Sequence, residues 1–129
     1  MVETVTVFSR ACVVCESCAV ADSIWRRFRG LMGVKGLARG HGLLLRPSSS
    51  VHTCFMRFPI DVVFLDTELE VLAVSTEVAP WRLRARRRAR AVLELPAGEA
   101  ARVGISPGDR LSLEPPPVIA TKEESHATC

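Results

Sequence analysis

At 129 residues, 48% of them hydrophobic, the chain has room for one domain with a substantial core. No apolar run approaches the ~18 residues of a membrane-spanning helix, and a net charge of +3 is too modest to name a class of partner by itself. Lys occurs only at Lys35 and Lys122, so nearly all the positive charge is carried by Arg.

The opening, M-V-E-T-V-T-V-F-S-R, lacks a basic stretch followed by an apolar one. No export signal is read there, and a cytoplasmic protein with mostly reduced cysteines is expected. Thr4 to Phe8 alternates weakly and predicts a first strand; Cys12 to Val20 predicts a second. Asp22-Ser23 then offers an N-cap. Ile24, Trp25, Phe28, Leu31 and Met32 follow at helical spacing, with Gly33 as the stop, which predicts an N-terminal helix packed on the sheet.

Gly36, Gly40 and Gly42 mark a loop, and Gly42 to Leu45 a short strand. Pro47 to Ser50 is a turn. Phe58 to Asp66 reads as a buried strand, with Leu69 to Ser75 as its hairpin partner. Pro80 to Arg90 is a basic connection, and Ala91 to Leu95 another strand, closed by Pro96-Ala97-Gly98. Glu99 to Val103 predicts a short C-terminal helix, and the turn Gly104 to Asp109 leads into a last strand, Arg110 to Glu114. The expected fold is mainly β: a largely antiparallel, barrel-like sheet carrying one packed N-terminal helix and one short C-terminal helix. One globular domain is expected over residues 1–114, followed by a Pro-rich, disordered tail over 115–129.

The densest chemistry lies in V-H-T-C-F-M-R-F-P-I-D-V-V-F-L-D, Val51 to Asp66, where His52, Cys54, Arg57 and Asp61 lead into an apolar run. Polar groups set against core residues must find partners, because an unpaired buried one costs about 1–3 kcal/mol. Asp61, at the mouth of the strand, is expected to pair with a buried cation, Arg57 or Arg29. His52 is a candidate general base, with Asp61 or Glu94 to orient it, while Arg29 or Arg57 suits an anion. The plainer reading is a structural network that ties loops to the sheet.

Cys12, Cys15 and Cys18 form C-x-x-C-x-x-C, but Val13-Val14 and Glu16-Ser17 are poor spacers for the tight turn a metal site needs. In a regular strand Cys15 would face away from Cys12 and Cys18. The thiols are therefore read as structural, with no metal and no cofactor expected. Arg82, Arg84, Arg86, Arg87, Arg88 and Arg90 form a basic patch able to neutralise phosphates. With no aromatic interleaved beyond Trp81, base stacking has little support, and nucleic acid is not the expected partner. The sequence shows no G-x-S-x-G elbow, no Walker loop and no dinucleotide fingerprint.

R-G-L-M-G at Arg29–Gly33, the block His52–Asp66 and L-E-L-P-A-G-E-A-A-R-V-G-I-S-P-G-D-R-L at Leu93–Leu111 resemble a bacterial and archaeal family, domain of unknown function 192. The resemblance spans about Val20 to Leu113. It implies a compact, mainly β fold with one packed helix and implies no established activity. Many members carry an export signal, and many have a Lys-Asn pair where this chain has Arg57-Phe58, so neither feature carries over.

The leading expectation is a small binding domain, with Arg29, His52, Arg57, Asp61 and Glu94 forming a polar pocket for an anionic small molecule or peptide group. The alternatives are a hydrolase-like enzyme using His52 beside a carboxylate, and a nucleic-acid accessory protein using Arg82 to Arg90.

Overall fold

The computed structural model describes residues 3–9, 12–21 and 36–114. The expected helix after Asp22-Ser23, its residue Arg29 and the tail 115–129 lie outside the described residues. The strands are β1 (Glu3–Ser9), β2 (Cys12–Ala21), β3 (His41–Leu45), β4 (Ser50–His52), β5 (Ile60–Leu65), β6 (Val71–Val78), β7 (Leu83–Ala85), β8 (Ala91–Pro96) and β9 (Leu111–Glu114). Among the described residues the one helix is α1, Glu99–Val103, with the bounds expected from the sequence. The chain is mainly β, as its patterning implied.

Seven strands form one sheet in the order β6-β5-β8-β3-β2-β1-β9, and β4 pairs with β7 in a separate ribbon. The ladders are antiparallel except one: β2 runs parallel to β3. Chain-neighbour hairpins do not predict this pair, because parallel strands need a long crossover connection. The two outermost strands approach each other at a bridge between Glu70 and Arg110. Backbone bonds from Leu111 N–H to Leu69 O and from Val71 N–H to Asp109 O reinforce that join. The sheet is thus curled until its edges meet, which removes part of the edge-strand liability.

β5 is central and buried along its whole length, and β8 beside it is buried up to Leu95. Val63, Leu65, Leu93 and Leu95 point into one apolar layer with Val5, Val7, Val20, Leu44, Ala100 and Leu111. Val62, Phe64 and Val92 point into the opposite layer with Leu43, Leu45, Val51 and Met56. An apolar run with no alternation is the pattern of a strand covered on both sides. β4 and the turn after it supply Val51 and Met56 to the second layer, and Ala89 joins them there, so the segment that looked like a basic connection also contributes to the core.

Candidate functional site

Asp61 is fully buried. Among the described residues its partners are backbone amides: Oδ1 accepts from Glu77 N–H at 2.8 Å, and Oδ2 accepts from Gly98 N–H at 3.1 Å and Ala100 N–H at 2.8 Å. Two local features aim these donors. A register shift between β5 and β6, where Ile60 faces Val78 but Val62 faces Ser75, bulges β6 near Glu77, which sits at φ 49°. Gly98, at φ 91°, is the N-cap of α1, and the first helical amides have no partner within the helix. Asp61 supplies one from a distant strand. The expected pairing of Asp61 with Arg57 is therefore corrected: Arg57 is exposed, and no cation pairs with Asp61 among the described residues. Three N–H donors give the buried carboxylate hydrogen-bond partners on both oxygens.

Glu94 is also buried, yet it faces away from Asp61. On the β5–β8 ladder Glu94 lies opposite Val62, whereas Asp61 lies opposite Leu95, and successive residues of a strand point to opposite faces. Glu94 stands between Val62 and Leu43 in the second apolar layer. Its Oε1 has no hydrogen-bond partner among the described residues. Burial pushes its carboxyl up to about 8, so at neutral pH it is held largely in the protonated form.

His52 is half-buried on β4, and its Nδ1 accepts the Cys54 N–H at 3.2 Å. A neutral His52 therefore carries its proton on Nε2. Leu83 pairs with His52 across the ribbon and shares its outward face. The structure does not bring the expected pocket residues to one point: Asp61 serves the helix, Glu94 lies on the other face, Arg57 is in solvent, and Arg29 lies outside the described residues.

The cysteines are arranged by a bulge that spacing alone does not reveal. On β1 and β2, Val5 faces Cys18 while Val7 faces Cys15, so β2 carries an extra residue between the two thiols. The bulge turns Cys15 and Cys18 into the same apolar layer, both fully buried. Cys15 Sγ donates to Gly40 O at 3.6 Å and Cys18 Sγ to Ala19 O at 3.7 Å; the interaction between the neighbouring thiols holds Cys15 below the ordinary thiol value and, with burial, drives Cys18 far above it. Gly42 makes the room: a Cβ there would lie 2.9 Å from Cys15 Sγ and 2.9 Å from Glu94 O. Cys12 is disulfide-bonded, whereas Cys15, Cys18 and Cys54 carry free thiols. Among the described residues no group of three or more His, Cys, Asp or Glu side chains is placed to hold a metal ion.

A site that the sequence did not reveal lies on the β4–β7 side. Phe55 and Trp81 are each 58% exposed, and Leu83 is 67% exposed. The two rings meet with centroids 4.7 Å apart at 59°. Both residues are left-handed, at φ 67° and 64°, a conformation that is uncommon for bulky side chains. Thr53, 1% exposed, holds both loops. Its carbonyl accepts from Trp81 N–H (3.0 Å) and Met56 N–H (3.2 Å), and its N–H donates to Arg82 O at 2.9 Å. Its Oγ1 donates to Ala79 O at 2.7 Å and accepts from Arg82 N–H at 2.8 Å. The signal missed was Thr53 itself, a polar residue inside the densest motif.

Around this pair arginines predominate, although Glu77 is exposed four positions before Trp81 and Arg88 acts electrostatically on Asp66. Arg57, Arg82, Arg86, Arg87, Arg88 and Arg90 are exposed and Arg84 is half-buried. The ion pairs among the described residues lie elsewhere, at Arg39–Glu99, Arg102–Glu99 and Arg110 with Glu68 and Glu70. Three of the patch guanidinium groups fold back on their own ribbon: Arg82 donates to Trp81 O, Arg84 to Leu83 O and Arg90 to Ala89 O.

The family model DUF192, described as Uncharacterized ACR, matches residues 6–113, and the chain belongs to that family. A UPF0127 protein of Pyrococcus furiosus is 39% identical over 95 residues, covering 70% of this chain and 81% of that protein. A UPF0127 protein of Thermococcus kodakarensis is 34% identical over 103 residues, or 74% of this chain, and the match spans 64% of that relative's length. Among solved structures, a protein of Sinorhizobium meliloti 1021 described as a "putative transcription regulator" superposes with a TM-score of 0.77 at 25% identity, covering 88% of this chain and 94% of that one. A protein of unknown function from Novosphingobium aromaticivorans gives a TM-score of 0.74 at 24% identity, covering 86% and 84%. The last likeness bears on the fold alone. No helix among the described residues is long and apolar enough to cross a membrane.

Proposed function

We propose that this member of the DUF192 family is a non-catalytic binding domain whose β4–β7 face takes an anionic group, whether of a small molecule or of a chain. The observation that carries the reading is the Phe55–Trp81 pair. Two large rings are held in solvent, both in a left-handed backbone, by a buried threonine that hydrogen-bonds both loops. Strained backbone persists only where its surroundings over-determine it, and it concentrates at ligand-binding sites. No close ion pair among the described residues ties the arginines beside the pair to a carboxylate, and a predominantly positive surface attracts anions. His52 adjoins this face through its cross-strand neighbour Leu83, and Arg57 is exposed two positions after Phe55. Asp61 does not, because its acceptor oxygens are already taken by amides.

Titration with inorganic polyphosphate at low salt, followed by calorimetry, tests the reading. Binding that is lost in Arg86→Ala/Arg87→Ala/Arg88→Ala supports it. No detectable heat at low salt, where phosphate contacts are strongest, overturns it.

A further inference from the structure

We infer that the anionic partner of this face is a single-stranded nucleic acid, with an unstacked base set against Phe55 and Trp81 and the phosphates led along Arg82 to Arg90. This rests on the anion-binding reading above and goes further, because three features of the face exceed what a small anion needs.

The first is the ring pair. An acidic peptide or a free phosphate needs only the guanidinium groups. Phe55 and Trp81, more than half in solvent and 4.7 Å apart, offer a π surface that every base can use, and stacking on such a surface is tolerant of sequence. The sequence shows one aromatic near the arginines; the fold brings a second from 26 positions earlier, through the Thr53 hydrogen bonds to Trp81 and Arg82.

The second is the openness of the surface. Sites for small molecules are clefts that enclose most of their ligand. Side chains that are 58%, 58% and 67% exposed at Phe55, Trp81 and Leu83 suit a ligand that lies across them and continues beyond. The third is the extent of the charge. Six arginines between Arg82 and Arg90 run along one short ribbon and the turn after it, more than one mononucleotide would use and well matched to successive phosphates. A duplex fits poorly, because its bases are already stacked and its π faces covered.

The test uses the full chain and a fluorescein-labelled oligothymidylate of about 12 nucleotides, read by anisotropy across a salt series. Wild type is expected to bind it more tightly than a duplex of equal length. Phe55→Ala/Trp81→Ala should weaken binding about tenfold or more at fixed salt while leaving the salt slope unchanged, as a lost stack does. Arg86→Ala/Arg87→Ala/Arg88→Ala should instead reduce the slope of log K against log salt by about 2, since each single-strand phosphate contributes about 0.7. Trp81→Phe keeps a ring and should stay within a few-fold of wild type, which separates stacking from any loss of fold in the double variant. Equal binding of duplex and single strand overturns the inference, as does an aromatic double variant that binds like wild type. Polyphosphate binding that survives either of those results leaves the anion-binding face standing and removes only the nucleic acid. Loss of polyphosphate binding as well removes both.

Discussion

Asp61 on β5 accepts a 2.8 Å hydrogen bond from the Ala100 amide in the first turn of α1, so a strand residue caps a helix that begins almost forty positions later. The same carboxylate also holds Gly98 and the bulged Glu77. One side chain therefore fixes where β6 bends and where α1 starts. In the sequence Asp61 looked like half of an ion pair; in the fold it is a three-way anchor for backbone.

Asp61→Asn should destabilise the protein by about 2–4 kcal/mol. The amide has one acceptor oxygen and places an NH2 against N–H donors, leaving at least one buried amide unsatisfied at about 1–3 kcal/mol each. Denaturant unfolding of the two proteins measures the difference. A change below about 0.5 kcal/mol would match a surface substitution and contradict the anchor.

Glu94 should make stability fall as pH rises. In the folded protein its carboxyl keeps the proton up to about 8, whereas an unfolded glutamate releases it near about 4.3. Between those values the folded state binds more protons than the unfolded one, so this contribution is complete below the unfolded value and is lost progressively up to about 8. The slope is about 1.4 kcal/mol per pH unit for one group. Glu94→Gln cannot ionise and should flatten the profile between pH 5 and 8, becoming the more stable form at pH 9. Unfolding curves across pH decide it; unchanged slopes in the variant would mean that Glu94 does not titrate in this way.

Gly42→Ala should cost about 1–3 kcal/mol, because the added methyl meets Cys15 Sγ and Glu94 O at 2.9 Å and overpacking forces neighbours off their minima. Removing the thiol in Gly42→Ala/Cys15→Ala relieves one of the two clashes and should recover only part of the loss, since the carbonyl of Glu94 is backbone. Gly36→Ala, where nothing lies within 4 Å, is the control and should be close to neutral. Thermal unfolding of these three variants reads the order; equal stability for Gly36→Ala and Gly42→Ala would sink the argument.

Thr53→Val keeps a branched side chain but removes the hydroxyl that bonds Ala79 O and Arg82 N–H. Two backbone groups then lose a partner, at about 0.5–1.5 kcal/mol for each hydrogen bond lost. The local consequence is specific: amide hydrogen exchange should rise around Arg82 and Trp81 more than in β5 or β8. Uniform exchange across the sheet and ribbon would show that Thr53 does not clamp the aromatic loops.

Much of the local structure was legible before folding was considered. The alternation or continuous apolarity of Thr4–Phe8, Phe58–Asp66 and Ala91–Leu95 located β1, β5 and β8, and Gly98 and Gly104 bracketed α1. These are short-range signals, set by which side chains recur at the period of a strand or a helix. Leu83–Ala85 was hidden because three residues are too few to show a period, and the arginines around them read as solvent-exposed connection.

The candidate site was not legible, for a reason that follows from how it is built. Sequence patterning alone established the mainly β class, the short helix and the polar density of His52 to Asp61. Only the tertiary structure decided that β2 runs parallel to β3, that a bulge turns Cys15 and Cys18 into one layer, and that Asp61 and Glu94 face opposite sides of adjacent strands. It likewise decided that Phe55 meets Trp81. Each depends on register between strands distant in the chain, and a shift of one residue would send every side chain to the other face. Register is chosen by the whole set of apolar contacts and backbone bonds at once, so it is a property of the folded sheet and not of any segment read by itself.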